Sequence, residues 1–303
     1  VLARPKATRL WPVLVRYALL TLPLVLPQAA AAFELEPNEY VPAPAGTTAL
    51  FNYFFYGDDQ SYHPVGGTTT THGTHLTETV GISRATQFFN VGPFEMLAEI
   101  LQPYGALTGA SIAGTNYKST SGLGDTTLAV AGWPYKNMAS LTFIGIGTYI
   151  TLPDGEYNPM HAINLGGNRM VYDPQLALHQ GFDPQWSIDL TADYILYGNN
   201  TNTGAPAGGS ISQHATTQLQ GFLNYAWDTR TTTSLGYEGE LGGRQYLNGA
   251  GTAAKTEFQE IRFVTSYSVT PAFQILGEVN HQFQNVGGFK QDLGVTLRAL
   301  YTF

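Results

Sequence analysis

Cysteine is absent from this chain, which excludes a disulfide scaffold, thiolate-ligated zinc and any thiol chemistry. Charge is scarce as well. Asp, Glu, Lys and Arg together supply 12% of the 303 residues, about half the share usual for a soluble domain. Basic residues number 14 against 22 acidic ones, which speaks against a nucleic-acid partner. Beyond the first 32 residues no apolar run is long and uninterrupted enough for a membrane helix. The nearest, Asn137 to Pro153, is broken by Thr142, Gly145, Gly147, Thr148 and Thr151. What is plentiful is Tyr (18), Phe (16) and Gly (34), a composition suited to strands and turns rather than helices.

The first 32 residues form a class of their own. Arg4, Lys6, Arg9 and Arg16 make a basic start, Tyr17 to Pro27 is a short apolar run, and Ala29 to Ala32 offer a small-residue cleavage site. This predicts a cleaved secretory signal over 1–32, with Pro23 and Pro27 arguing against a membrane anchor. The remaining chain, 33–303, keeps 10 of the 14 basic residues and all 22 acids, a formal charge of −12. An exported, acidic, aromatic-rich chain is either a soluble β protein or a barrel of the Gram-negative outer membrane.

Strict two-residue alternation decides between them. From Phe289, the residues Gln291, Leu293, Val295, Leu297, Ala299, Tyr301 and Phe303 share one face; Lys290, Asp292, Gly294, Thr296 and Arg298 share the other. Segments 257–269 and 273–283 repeat the pattern, and 186–197, 214–228 and 232–244 follow it with more noise. Ten to fourteen alternating residues match a tilted strand crossing a bilayer. Segments 74–91 and 94–107 are the weakest, because Glu78, Arg84, Glu95 and Glu99 spoil the stripe and Pro103 interrupts it.

Short connectors near 92–93, 134–137, 183–185, 228–231 and 270–272 alternate with long polar stretches at 58–73, 108–121, 153–168, 199–213 and 246–255. Short periplasmic turns alternating with longer outer loops are the outer-membrane arrangement. The expected fold is therefore all-β: a transmembrane, antiparallel, up-and-down β-barrel of 12 strands, spanning 33–303 after a short N-terminal lead-in. Tyr53 to Tyr56, Tyr194, Tyr197, Tyr225 and Trp227 are expected in the aromatic girdles. Outer-membrane lipid is then one partner, and barrel-insertion machinery is needed during assembly.

By the same parity Asp189, Asp193, Glu238, Glu240, Glu260, Arg262, Glu278, Asp292 and Arg298 point into the lumen. A buried charge must be paired or wetted, so Arg262, Glu278 and Arg298 are expected in one cross-strand cluster, as a brace, as a pore constriction, or as both. Apolar luminal residues such as Ile195, Phe222, Val264 and Leu276 mixed into this wall favour a small hydrophobic or aromatic solute over a sugar. His63, His72 and His75 are read as polar loop residues rather than metal ligands, no Ser sits in a nucleophile context, and no cofactor is implied.

Several motifs resemble those of the meta-pathway phenol-degradation family: the opening Tyr40 to Thr47, Gly122-Leu-Gly-Asp125, Leu152-Pro-Asp-Gly155-Glu-Tyr157, Asn164-Leu-Gly166-Gly167-Asn168-Arg169, and the terminal Phe303. The resemblance spans 38–303 and implies an outer-membrane channel or transporter for hydrophobic or aromatic compounds. Asn168 and Arg169 are expected to fold their loop inward against luminal acids such as Asp193. The alternatives are a plugged structural or adhesion barrel and a lipid-modifying barrel enzyme.

Overall fold

Residues of alternating character satisfy two environments only if the sheet they form has a dry face and a wet one, and in a membrane its edges must also close on themselves. The computed structural model describes residues 35–204 and 208–303; the expected signal, 1–32, lies outside the described residues. Twelve long strands form the wall. They are β1 (Thr48–His63), β2 (His75–Val91), β3 (Phe94–Ile112), β4 (Thr127–Asn137), β5 (Thr142–Thr151) and β6 (Val171–Gly181). The chain continues through β7 (Trp186–Tyr197), β8 (Thr216–Ala226), β9 (Thr231–Gly242), β10 (Glu257–Thr270), β11 (Phe273–Val286) and β12 (Gly288–Thr302).

Each strand pairs antiparallel with its sequence neighbours, and β12 returns to β1 in a register running from Ala49 opposite Thr302 to His63 opposite Gly288. The seam ends in two reciprocal hydrogen bonds between Thr48 and Phe303, at 2.9 and 3.0 Å. The result is a closed 12-stranded barrel, as the alternation predicts.

Inside and outside are inverted relative to a soluble protein. Leu297 is 57% exposed on the outer face, and Leu219, Leu235, Phe263 and Val279 are exposed with it, whereas Arg262 is 1% exposed and Gln218, Glu238 and Asn224 are buried. That distribution suits a wall bathed in hydrocarbon around a polar lumen. Trp186, Tyr225 and Trp227 make an aromatic cluster at the short-turn end, with ring centroids 4.8 and 4.9 Å apart. Within the expected girdle stretch Tyr53 and Phe55 lie on the inward parity, the hydroxyl of Tyr53 accepting from Arg84; Tyr197, whose parity also reads as luminal, faces inward and donates to Thr216.

The long connectors are shorter than expected, because 58–63 and 108–112 continue β1 and β3 as strand. Other parts of them fold into small strands, Thr120–Leu123 against β3 and Ile211–Gln213 against Gln245–Leu247. The last hairpin is tight because Gly287 takes a φ of +96°, where a side chain would also strike the backbone of Lys255.

Candidate functional site

The segment Glu36-Pro37-Asn38-Glu39-Tyr40-Val41-Pro42-Ala43-Pro44 cannot join a sheet, since three prolines lack the N–H that a ladder needs. It folds instead as a compact turn, with Glu39 N–H donating to Glu36 O at 3.2 Å and Val41 N–H to Asn38 O at 3.1 Å. This turn lies inside the barrel. Its backbone is satisfied by luminal side chains of four strands: Leu35 N–H donates to Gln220 (2.7 Å) and Asn38 N–H to Asp189 (2.9 Å), while Leu35 O accepts from Arg262 (3.1 Å) and Tyr40 O from Trp133 (2.9 Å). Glu39 forms an ion pair with Arg84, which also holds Glu99 at 2.7 Å. The lead-in anticipated from sequence is thus a luminal segment.

Beneath it sits the ionic cluster expected from parity, with one member exchanged. Arg262 forks onto Glu278, Nε to Oε1 at 2.8 Å and Nη2 to Oε2 at 2.9 Å, and reaches Glu238 at 3.1 Å. Its guanidinium lies 5.0 Å from the ring centroid of Phe222. Arg298 does not join Glu278. It stands opposite Leu276, whereas Glu278 stands opposite Thr296 and has both oxygens engaged by Arg262. Arg298 donates to Gln274 and lies near Phe51. Glu238 and Glu260 face each other across β9 and β10, and Glu240 is buried beside them. A fork of this kind fixes register more surely than it adds stability.

Of the remaining predicted acids, Asp189 and Asp193 hold the segment and its surroundings. Asp189 accepts from His179 Nδ1 (2.7 Å), Asn224 (2.6 Å) and the Asn38 backbone. Asp193 accepts from Gln175 at 2.5 Å. Asp292 sits at the outer rim, ion-paired with Lys290 at 2.7 Å. Both line an outer cavity of about 570 Å³ together with Gln60, Ser61 and His63. His63 is held by Ser61 and Thr69, and His75 by Thr77.

The loop motifs converge on Asp125. Its carboxylate accepts from Gly155 N–H at 2.8 Å and from Gly167 N–H at 2.6 Å, and Gly166 packs so closely on Gly155 that a side chain there would overlap its backbone. Burial pushes the Asp125 carboxyl up, and the two backbone donors pull it back. Asn164 holds the loop internally, accepting from Asn158 N–H at 2.8 Å, and Asn168 donates to Asn200 at 2.8 Å. Arg169 does not reach Asp193. It donates to Gln213 at 2.5 Å and lies 4.7 Å from the ring centroid of Tyr197. Tyr197 is four residues along β7 from Asp193, roughly 13 Å at the rise of a strand, so the loop folds across the outer rim and not down to the acid.

Sequence reasoning missed Arg84, Glu99, Gln175, His179, Trp133 and the luminal course of 35–47. For the first two the signal was present. Arg84, Thr86 and Phe88 share one parity of β2, and Leu97, Glu99 and Leu101 one parity of β3, all of them buried. The charges that blurred the stripe are luminal charges.

The family model described as "Putative MetA-pathway of phenol degradation" matches residues 59–298. Among solved structures the chain is similar to the COG4313 outer membrane channel from Pseudomonas putida F1, with 26% identity and a TM-score of 0.84 over 89% of this chain and 100% of that one. Its fold is also similar to the TodX ΔS2S3 mutant, a monoaromatic hydrocarbon channel, at 8% identity and a TM-score of 0.50 over 86% and 90% of the two chains. A Pseudomonas aeruginosa FadL homologue gives 10% identity and a TM-score of 0.50, with 91% and 96% covered. Comparison with curated proteins finds no match. The lipid-facing exterior, the closed 12-strand wall and the matched family model agree, and the chain is an outer-membrane β-barrel protein that belongs to the family described as "Putative MetA-pathway of phenol degradation".

Proposed function

We propose that this barrel passes small hydrophobic or aromatic solutes across the outer membrane, and that residues 35–47 are its internal gate. The observation that carries the reading is the attachment of the segment. It lies in the lumen, is held there by hydrogen bonds and the Glu39–Arg84 ion pair rather than by a cross-link, and runs into the wall at Gly46, whose φ of +96° marks a turn. Such contacts break and re-form without any change in covalent structure. The aromatic and apolar residues Phe88, Leu97, Trp133, Phe143 and Phe222 cluster with the segment in the lumen, which favours solutes of matching polarity.

A luminal plug also fits a purely structural barrel, and one experiment separates the two readings. The chain has no cysteine, so Asn38→Cys with Asp189→Cys introduces a single pair at a place where backbone and carboxylate are 2.9 Å apart. Flux of a phenol-sized aromatic and of a sugar of similar mass is measured in proteoliposomes, with protein-free vesicles subtracted. The gate reading expects aromatic flux above background in the reduced protein, little sugar flux, and loss of aromatic flux on oxidation. Background flux in the reduced, folded protein would leave the structural reading.

A further inference from the structure

One of the contacts between segment and wall is made by a phenol. Tyr40 carries one on the luminal segment and buries it almost completely, at 5% exposure. Its ring meets Trp133 edge to face, with centroids 6.4 Å apart and planes at 64°, and Trp133 is backed by Phe88, stacked at 6.1 Å. Gly145, beside Trp133 on the neighbouring strand, forms another side of the slot. A Cβ built there would overlap the Tyr40 ring, so the slot exists only because residue 145 has no side chain.

The hydroxyl end is equally specific. Tyr40 donates to Oε1 of the buried Gln175, and Gln175 Nε2 donates to Asp193. Because Nε2 is engaged by Asp193, Oε1 is the atom of the amide that faces the slot. Gln175 therefore presents an acceptor to the slot. A guest must be flat, aromatic and equipped with an O–H donor at its edge; a guest without the donor leaves a buried acceptor unpaired.

We infer that the slot formed by Trp133, Gly145 and Gln175 is a binding site for free phenols, and that Tyr40 is its built-in competitor. The inference rests on the proposal above that the segment withdraws from the lumen. When it does, the vacated slot takes a phenol in the pose Tyr40 held, and the bound solute slows the return of the segment. Asp193 is a positioning residue here, acting through Gln175.

The test uses the refolded barrel in detergent with Tyr40→Ala, titrated with p-cresol, 4-methylanisole and toluene. Tryptophan emission is excited at the red edge, where the titrants do not absorb. Saturable p-cresol binding is expected, at least tenfold tighter than that of either compound lacking the hydroxyl, and at least tenfold tighter than in the protein with Tyr40. Adding Gly145→Val to the variant should abolish it. Tyr40→Ser serves the same purpose if the alanine variant refolds poorly. No saturable response from protein shown folded by heat-modifiability, or equal affinity for 4-methylanisole, overturns the site. Flux is measured after the same proteins are reconstituted into vesicles. Binding without flux keeps the site and removes the transport reading, whereas flux without binding removes the site alone.

Discussion

Arg84 on the barrel wall is ion-paired at once with Glu99 of the neighbouring strand and with Glu39 of the luminal segment. One guanidinium thus serves two partners with different fates: Glu99 is fixed in the wall, and Glu39 leaves if the segment leaves. Arg84 also lies 4.7 Å from the centroid of the Phe51 ring, so it keeps its place without Glu39.

This asymmetry predicts the effect of Glu39→Gln. Arg84 remains paired with Glu99, so the barrel should refold normally, while the docked segment loses about 1–3 kcal/mol of charge-assisted bonding. The open fraction of single channels in planar bilayers should rise several-fold or more. Glu99→Gln should instead lower the yield of heat-modifiable barrel, because it weakens a strand-to-strand contact. An unchanged open fraction in Glu39→Gln would remove this ion pair from the gate.

Asp125→Ala should act on the outer surface alone. Two backbone donors, Gly155 and Gly167, lose their shared acceptor, a loss of about 1–3 kcal/mol for each if left unsatisfied. Limited proteolysis of intact cells or proteoliposomes should then cut within 152–168 at least tenfold faster, with heat-modifiability of the barrel unchanged. Equal cleavage rates would mean that the loop is held by Asn164 and Asn168 and does not need Asp125.

The parts of this molecule that were legible in its sequence are those governed by a period. Leu293, Val295 and Leu297 against Gly294, Thr296 and Arg298 reveal a wall with two faces, and the alternation of short and long connectors reveals its closure. Inward charges such as Asp189, Glu238 and Arg262 follow from the same parity, and each is buried. Partner choice was less legible, because parity fixes the face and not the height. Arg298 is on the correct face but opposite Leu276, two residues from Glu278. Arg169 is on the correct loop but above Tyr197 rather than beside Asp193. The segment 35–47 has no period at all. Its prolines say only that it is not a strand, and its place in the lumen is set by side chains drawn from β2, β4, β7, β8 and β10.

Glu36 gives the gate a pH dependence whose sign follows from its position. It is buried in the segment at 3% exposure, and burial pushes its carboxyl up to about 8, with Arg298 and Arg262 opposing the shift and Glu278 and Glu39 adding to it. Released into water it returns to its ordinary value near 4.5. Between these limits docking takes up a proton, so the docked form is favoured at low pH and loses ground as pH rises, by up to about tenfold per unit, until the loss is complete near 8. Open fraction in bilayers should therefore climb from pH 5 to pH 8 and level off above it. Glu36→Gln cannot ionise, and it should stay docked across that range with the climb flattened. A climb that persists in Glu36→Gln would assign the titration to another group in the lumen, and a fall in open fraction with rising pH would contradict the docked geometry of Glu36 itself.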